Sequence, residues 1–112
     1  MDAPITPIAL KQRLAAFPPP TLVDVRRQAA FEEDRAVIAG ALRRLPEAVE
    51  TWAAAIEPWR PVVVYCVRGH EVGQGACAAL RARGLLDARY VAGGLEQWRA
   101  EGYATTHAAE PQ

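Results

Sequence analysis

Cys66 ends a short apolar run, Val62-Val63-Val64-Tyr65, and opens a polar, glycine-bearing stretch, Val67-Arg68-Gly69-His70-Glu71-Val72-Gly73. A cysteine acts as a nucleophile through its thiolate, so the chemistry needs negative charge held on sulfur and access to it. Successive backbone N–H groups that converge on one point can hold that charge, as they do in anion-binding nests. Arg68 and His70 add donors near the mouth of such a loop, whereas Glu71 opposes a second negative charge. Turned outward into the first turn of a following helix, Glu71 would instead favour the helix dipole. A Cys66–His70 dyad would need an Asn or Asp to orient the imidazole, and none is obviously placed for it. The inert alternative is a buried thiol at a strand end. The polar residues that follow fit a ligand loop better than a core.

Such a loop needs a strand before it and a helix after it. Val62 to Tyr65 is β-branched or aromatic without polar interruption, the pattern of a strand buried on both faces in a parallel sheet. Residues 74–83 are rich in good helix formers, which predicts a helix beginning near Gln74. Cys66 would then sit at the C-terminal edge of a sheet and face a helix N-terminus, where open α/β sheets bind ligands. Gly75, Ala76, Ala79 and Leu80 offer small residues for packing on the sheet, and Gly84 is a natural C-cap. Cys77 on the same helix is expected in the core, because unpaired cysteines are mostly buried.

The rest of the chain alternates in the same way. Thr6-Pro7 reads as an N-cap followed by a helix over 7–16, which Pro18-Pro19-Pro20 must end. Residues 21–25 read as a buried strand. Asp24 inside it needs a partner, which Arg26 or its own loop can supply. Residues 27–35 suggest a short, mostly exposed helix anchored by Phe31, and 37–42 a turn leading into a short strand. Pro46 starts a helix with an apolar stripe of Val49, Trp52, Ala53 and Ile56, closed by Pro58. The last strand spans 88–91, and Gly93-Gly94 turns it into a short helix ending near Gly102. From Thr105 onward the chain is polar and expected to fray, with His107 on the surface. This alternation predicts an α/β fold with a mostly parallel sheet.

Composition limits the classes of function. At 112 residues the chain suits one domain, taken as 1–112 with a structured core over 5–102 and a flexible tail over 103–112. Thirteen basic and thirteen acidic residues balance, so no overall field recruits nucleic acid or an anionic membrane. No apolar run approaches the roughly 20 residues that cross a bilayer. No secretory signal is visible at the N-terminus, and the expected location is the cytoplasm. Two cysteines and two histidines make neither a disulfide scaffold nor a zinc site, and the chemistry calls for no metal and no cofactor.

Four groups of residues in order carry a resemblance: Asp24-Val25-Arg26 with Phe31, Ile38-Ala39-Gly40-Ala41, Tyr65-Cys66-Val67-Arg68-Gly69-His70-Glu71, and Val91-Ala92-Gly93-Gly94 with Trp98. Together they resemble a single-domain rhodanese over 5–102. The resemblance implies a three-layer α/β sandwich with a central, mostly parallel five-stranded sheet flanked by helices. It also implies a sulfurtransferase in which Cys66 takes a sulfane sulfur from thiosulfate or a persulfide and passes it to a thiol or cyanide. Val67, Arg68, Gly69, His70 and Glu71 would form the amide ring and Val72 would close it, while Asp24 and Arg26 would brace the region. A protein could serve as sulfur donor or acceptor; nucleic acid and membranes are not expected partners. The chain departs from many members in carrying Val67 and Glu71 at frequently basic positions, Val72 at a common Ser or Thr, and Val37 at a usual histidine. An acid in the loop disfavours a dianion such as thiosulfate. A catalytically quiet binding module of the same fold is the alternative. A phosphatase or arsenate reductase would want a longer loop with His before Cys and Arg at its close, where this chain has Tyr65, Val72 and Gly73.

Overall fold

The computed structural model describes residues 3–108. Its centre is strand β5, Val62–Tyr65, with every residue buried. Successive side chains of a strand point to opposite faces, and β5 divides its four between two cores. Val62 and Val64 join Val23, Val25, Trp52, Ala76, Cys77 and Leu80 on one face. Val63 and Tyr65 join Leu10, Leu22, Ile38, Val91, Leu95 and Trp98 on the other. A strand apolar on both sides requires helices on both sides, and the result is three layers.

The sheet has five strands in the order β1-β6-β5-β2-β4, where β1 is Pro4–Ile5, β2 is Thr21–Asp24, β4 is Leu42–Arg43 and β6 is Ala88–Val91. All pairings within it are parallel. Helices α1 (Pro7–Ala15) and α5 (Gly94–Ala100) cover one face, and α4 (Glu71–Ala82), with α3 (Val49–Trp52), covers the other. Thr6 caps α1 as expected, its hydroxyl accepting from the Ala9 N–H at 3.2 Å. Helix α2 (Gln28–Glu33) is short and mostly exposed and buries Phe31.

Several boundaries differ from the sequence expectation. Helix α4 begins at Glu71 rather than near Gln74, so the loop after Cys66 is only Val67 to His70. The stripe of Val49, Trp52 and Ala53 is buried, but the segment is broken, with single 3₁₀ turns at Pro46–Ala48 and Ala53–Ala55 flanking α3. Strand β1 has two residues, too few for periodicity to register, and exists through its pairing with Tyr90 and Val91. Thr106–His107 lie in the stretch expected to fray. They form β7, antiparallel to β3 (Ala36–Val37). His107 is exposed, as expected. Gly75 is exposed rather than packed, and the glycine pressed against the sheet is Gly73.

Candidate active site

Cys66 is placed by β5 and held by α5. Its carbonyl accepts from the Leu95 N–H and the Val67 carbonyl from the Glu96 N–H, both at 2.9 Å. A trans peptide carries its N–H opposite its C=O, so these two bonds turn the Val67 and Arg68 amides away from α5. On the other side the Gly69 carbonyl accepts from the Gln74 side chain at 3.0 Å and the His70 carbonyl from the Gln74 N–H at 3.0 Å. Among the described residues, no backbone N–H from Val67 to Gly73 donates to another backbone group. The first amides of α4 are unpaired by helix geometry, and the loop amides are unpaired because their carbonyls are bonded outward. Seven successive free donors therefore follow one thiol.

Cys66 is 5% exposed. It borders a hollow of about 190 Å³ lined also by Val67, Arg68, His70, Glu71 and Val72, and from the other side by Arg26, Arg27 and Ala30. Gly73 makes room for sulfur: a Cβ there would lie 3.1 Å from Cys66 Sγ. Gly69 is buried behind the loop and does not line the hollow. Arg68 pairs with Glu96 at 3.3 Å, but both side chains are about two-thirds exposed, and such a pair contributes little. Glu71 stands in the first turn of α4 and also lines the hollow. It therefore complements the helix dipole and also borders the hollow.

Asp24 and Arg26 are fully buried beneath this site. The Arg26 guanidinium donates to both Asp24 carboxylate oxygens at 2.7–3.1 Å and to the Asp34 and Ala36 carbonyls at 2.7 and 3.0 Å. The arginine is thus spent on structure. Tyr65 accepts from the Ile38 N–H at 3.0 Å, and burial pushes its phenol well above the usual tyrosine value. Cys77 donates to the Ala88 carbonyl at 3.3 Å, and burial pushes its thiol up. It lies in the core, apart from the hollow.

Sequence reasoning missed Arg27, Ala30 and Gly73, and it missed the hold of α5 on the loop. The signal for Arg27 was a second cation directly after the C-terminal end of a parallel strand, where ligand sites form. Exposed Trp59, with Arg60 stacked on its ring at 5.0 Å, precedes β5 and so stands at the opposite end of that strand from Cys66. Larger hollows of about 720 and 650 Å³ border the sheet edge near β4 and contain neither cysteine.

The family model for the rhodanese-like domain matches residues 6–101. Among solved structures, the chain is similar to a rhodanese-like domain protein from Staphylococcus aureus, at 24% identity and a TM-score of 0.80, covering 97% of this chain and 100% of that one. It is also similar to the Alr3790 protein from Anabaena sp., at 29% identity and a TM-score of 0.79, covering 93% of this chain and 82% of that one. A thiosulfate sulfurtransferase from Pseudomonas aeruginosa shares the fold at 21% identity and a TM-score of 0.76, with 98% of this chain matching 20% of that one. No curated protein matches at a significant level. No helix among the described residues is long and apolar enough to cross a membrane. A match over nearly the whole length, on a five-stranded parallel sheet with a cysteine loop at its C-terminal edge, shows that this chain belongs to the rhodanese-like domain family.

Proposed function

We propose that the protein is a sulfurtransferase that carries a sulfane sulfur as a persulfide on Cys66. The observation that carries this reading is the run of unpaired amides from Val67 to Gly73 beside the Cys66 thiol. A persulfide anion has no bulky group for a pocket to grip, so amides are the natural means of holding it. By analogy with oxyanion holes, each well-aimed donor in a dry site is worth ~3 kcal/mol. The narrow hollow admits a small sulfur group, and the absence of an arginine at the far end of the loop favours sulfur over phosphate.

In the first half-reaction the Cys66 thiolate attacks the outer sulfur of a donor. With thiosulfate, a new S–S bond forms at Cys66 as the donor S–S bond breaks, and the bonding pair leaves on sulfite. With a hydropersulfide, the pair leaves on the donor's inner sulfur as a thiolate, which takes the proton from the transferred sulfur. An acceptor thiolate or cyanide then attacks the outer sulfur and releases Cys66 as thiolate. Glu71 at the hollow opposes the thiosulfate dianion while Arg27 across it attracts one, so a persulfide serves as donor at least as well as thiosulfate. The cytoplasm, which keeps thiols reduced, suits this cycle.

The test is intact mass after incubation with thiosulfate or glutathione persulfide. One added sulfur, about 32 Da, is expected on Cys66 and none on Cys77, and Cys66→Ser is expected to abolish transfer while keeping the fold. No adduct with either donor, or persisting turnover in Cys66→Ser, would overturn the reading.

A further inference from the structure

The stretch Leu42-Arg43-Arg44-Leu45 sets two arginines side by side at the end of β4, the edge strand of the sheet. Both line the hollow of about 650 Å³ that lies between α2, the turn into β4 and β7. Arg35 and His107 line it as well, beside Phe31. Among the described residues no aspartate or glutamate does, although acids and bases balance over the chain. None of these lining residues borders the Cys66 hollow, so this concentration of positive charge is separate from the sulfur chemistry.

The two arginines of β4 are held in place without being neutralised. Arg43 Nη1 donates to the Asp24 and Arg44 carbonyls at 3.2 and 2.7 Å, and Nη2 to the Gln28 side-chain oxygen at 3.5 Å. Arg44 Nη1 donates to the Arg43 carbonyl at 2.7 Å. All of these acceptors are neutral. Among the described residues neither arginine closes an ion pair. Asp24 and Glu47 act on Arg43 from further off, but Asp24 is already closed by Arg26 at 2.7 Å and Glu47 does not line the hollow. Arg26, Arg35 and Arg43 crowd the Phe31 ring at 5.3, 5.1 and 4.4 Å. The ring attracts each cation but cancels none of the charge. Burial pushes the Arg43 guanidinium down, a setting that an anion in the hollow would relieve.

We infer that this hollow binds a phosphorylated organic molecule of about nucleotide size, its phosphate on the Arg43 and Arg44 guanidiniums with Arg35 beside them. The planar fork of a guanidinium matches phosphate oxygens two at a time, and the carbonyl bonds that fix Arg43 and Arg44 reduce the ordering cost of binding. The hollow is too large for bare phosphate and lies within the roughly 300–1,000 Å³ of typical ligand sites. Val37, Leu42 and Leu45 line the remainder, and Leu42 and Leu45 are exposed. They offer the carbon skeleton of the ligand an apolar bed beside the charges.

The test titrates the full chain at low salt with ADP, inorganic phosphate and adenosine and follows backbone amide shifts. ADP is expected to give one saturable set of shifts at Phe31, Leu42, Arg43, Arg44 and His107, phosphate a weaker set at the same arginines, and adenosine none. Arg44→Gln, at an exposed position, is expected to raise the Kd for ADP about tenfold, the range of a lost charged hydrogen bond. Arg43→Gln is expected to raise it at least as far, but it also removes bonds to two carbonyls, so Arg44→Gln is the deciding variant. A Kd unchanged in Arg44→Gln overturns the site, as does adenosine binding as tightly as ADP. Shifts spread over distant arginines such as Arg13 and Arg81, and lost on adding salt, mark unspecific attraction and overturn it too. A tetraglutamate peptide that matches ADP would assign the hollow to an acidic protein segment and overturn the small-molecule site.

Discussion

At the scale of single residues, one buried ion pair lies beneath the cysteine loop. Asp24 is 0% and Arg26 2% exposed, and four hydrogen bonds join them, one from the Arg26 backbone N–H. Burying two charges is costly, so the pair is no guarantee of stability, but breaking it leaves one charge unpaired in the core. Arg26→Ala would strand the Asp24 carboxylate and remove the donors to the Asp34 and Ala36 carbonyls. We expect a loss of about 3–5 kcal/mol, read as a fall in the denaturant midpoint. A loss below about 1 kcal/mol, the range of an exposed pair, would show that Asp24 is satisfied without Arg26. The pair also engages the Arg26 guanidinium where that residue borders the hollow. Its guanidinium is already engaged on every side, including against the Phe31 ring at 5.3 Å.

At the scale of elements, the cysteine loop is shaped by α5 as much as by α4. The first amides of a helix ordinarily wait for a cap or an anion. Here the Leu95 and Glu96 amides take the Cys66 and Val67 carbonyls, which leaves the amides on the opposite edge of the loop unpaired. This contact requires glycine at position 94. Its φ is +64°, and a Cβ there would lie 2.6 Å from the Cys66 carbonyl oxygen and from the Val67 backbone. Those atoms are main chain and cannot rotate aside. Gly94→Ala should therefore displace the loop, lowering the rate of Cys66 sulfur loading by at least about tenfold and shifting the amide signals of residues 67–70. Wild-type loading with unmoved loop signals would show that α5 does not shape the loop.

At the scale of the whole molecule, the two ends of the fold are tied together by the segment that follows α2. Asp34 pairs with Arg99 of α5 at 2.6 and 3.1 Å, and the neighbouring strand β3 receives β7 from the end of the described chain. The Arg99 hydrogen bond, with the Ala36 N–H and the charge of Arg26, holds the Asp34 carboxyl down to about 2, against 3.8 unperturbed. A folded-state value below the unfolded one means that this contribution is present above pH 3.8 and is lost as pH falls toward 2. Because both side chains are partly exposed, salt should shrink the effect. In chemical denaturation from pH 5 to pH 2, the stability difference between wild type and Asp34→Asn should narrow as acid is added. A difference that stays constant across that range would remove Asp34 from the pH dependence.

What the sequence determined by itself was whatever is written in short-range pattern. The unbroken apolar run Val62 to Tyr65 announced a central strand with a layer on each face, and Thr6-Pro7 announced the start of α1. The position of Cys66 at a strand end followed from the same alternation, whereas the pairing that sets Asp24 beside Tyr65, with Arg26 just past the end of β2, came from the fold. Tertiary structure alone decided what depends on contacts between distant segments. β1, β3 and β7 are two-residue strands with no pattern of their own, and they form through partners far along the chain. The start of α4 moved back to Glu71 because its early turns pack against β5 through Gly73 at the Cys66 sulfur, a contact that local helix propensity does not contain. The unpaired amides of the loop and the hollows between Arg27 and α4 have the same origin. Carbonyls bonded to α5 point the loop outward on one side, and a loop after β2 meets the first turns of α4 on the other.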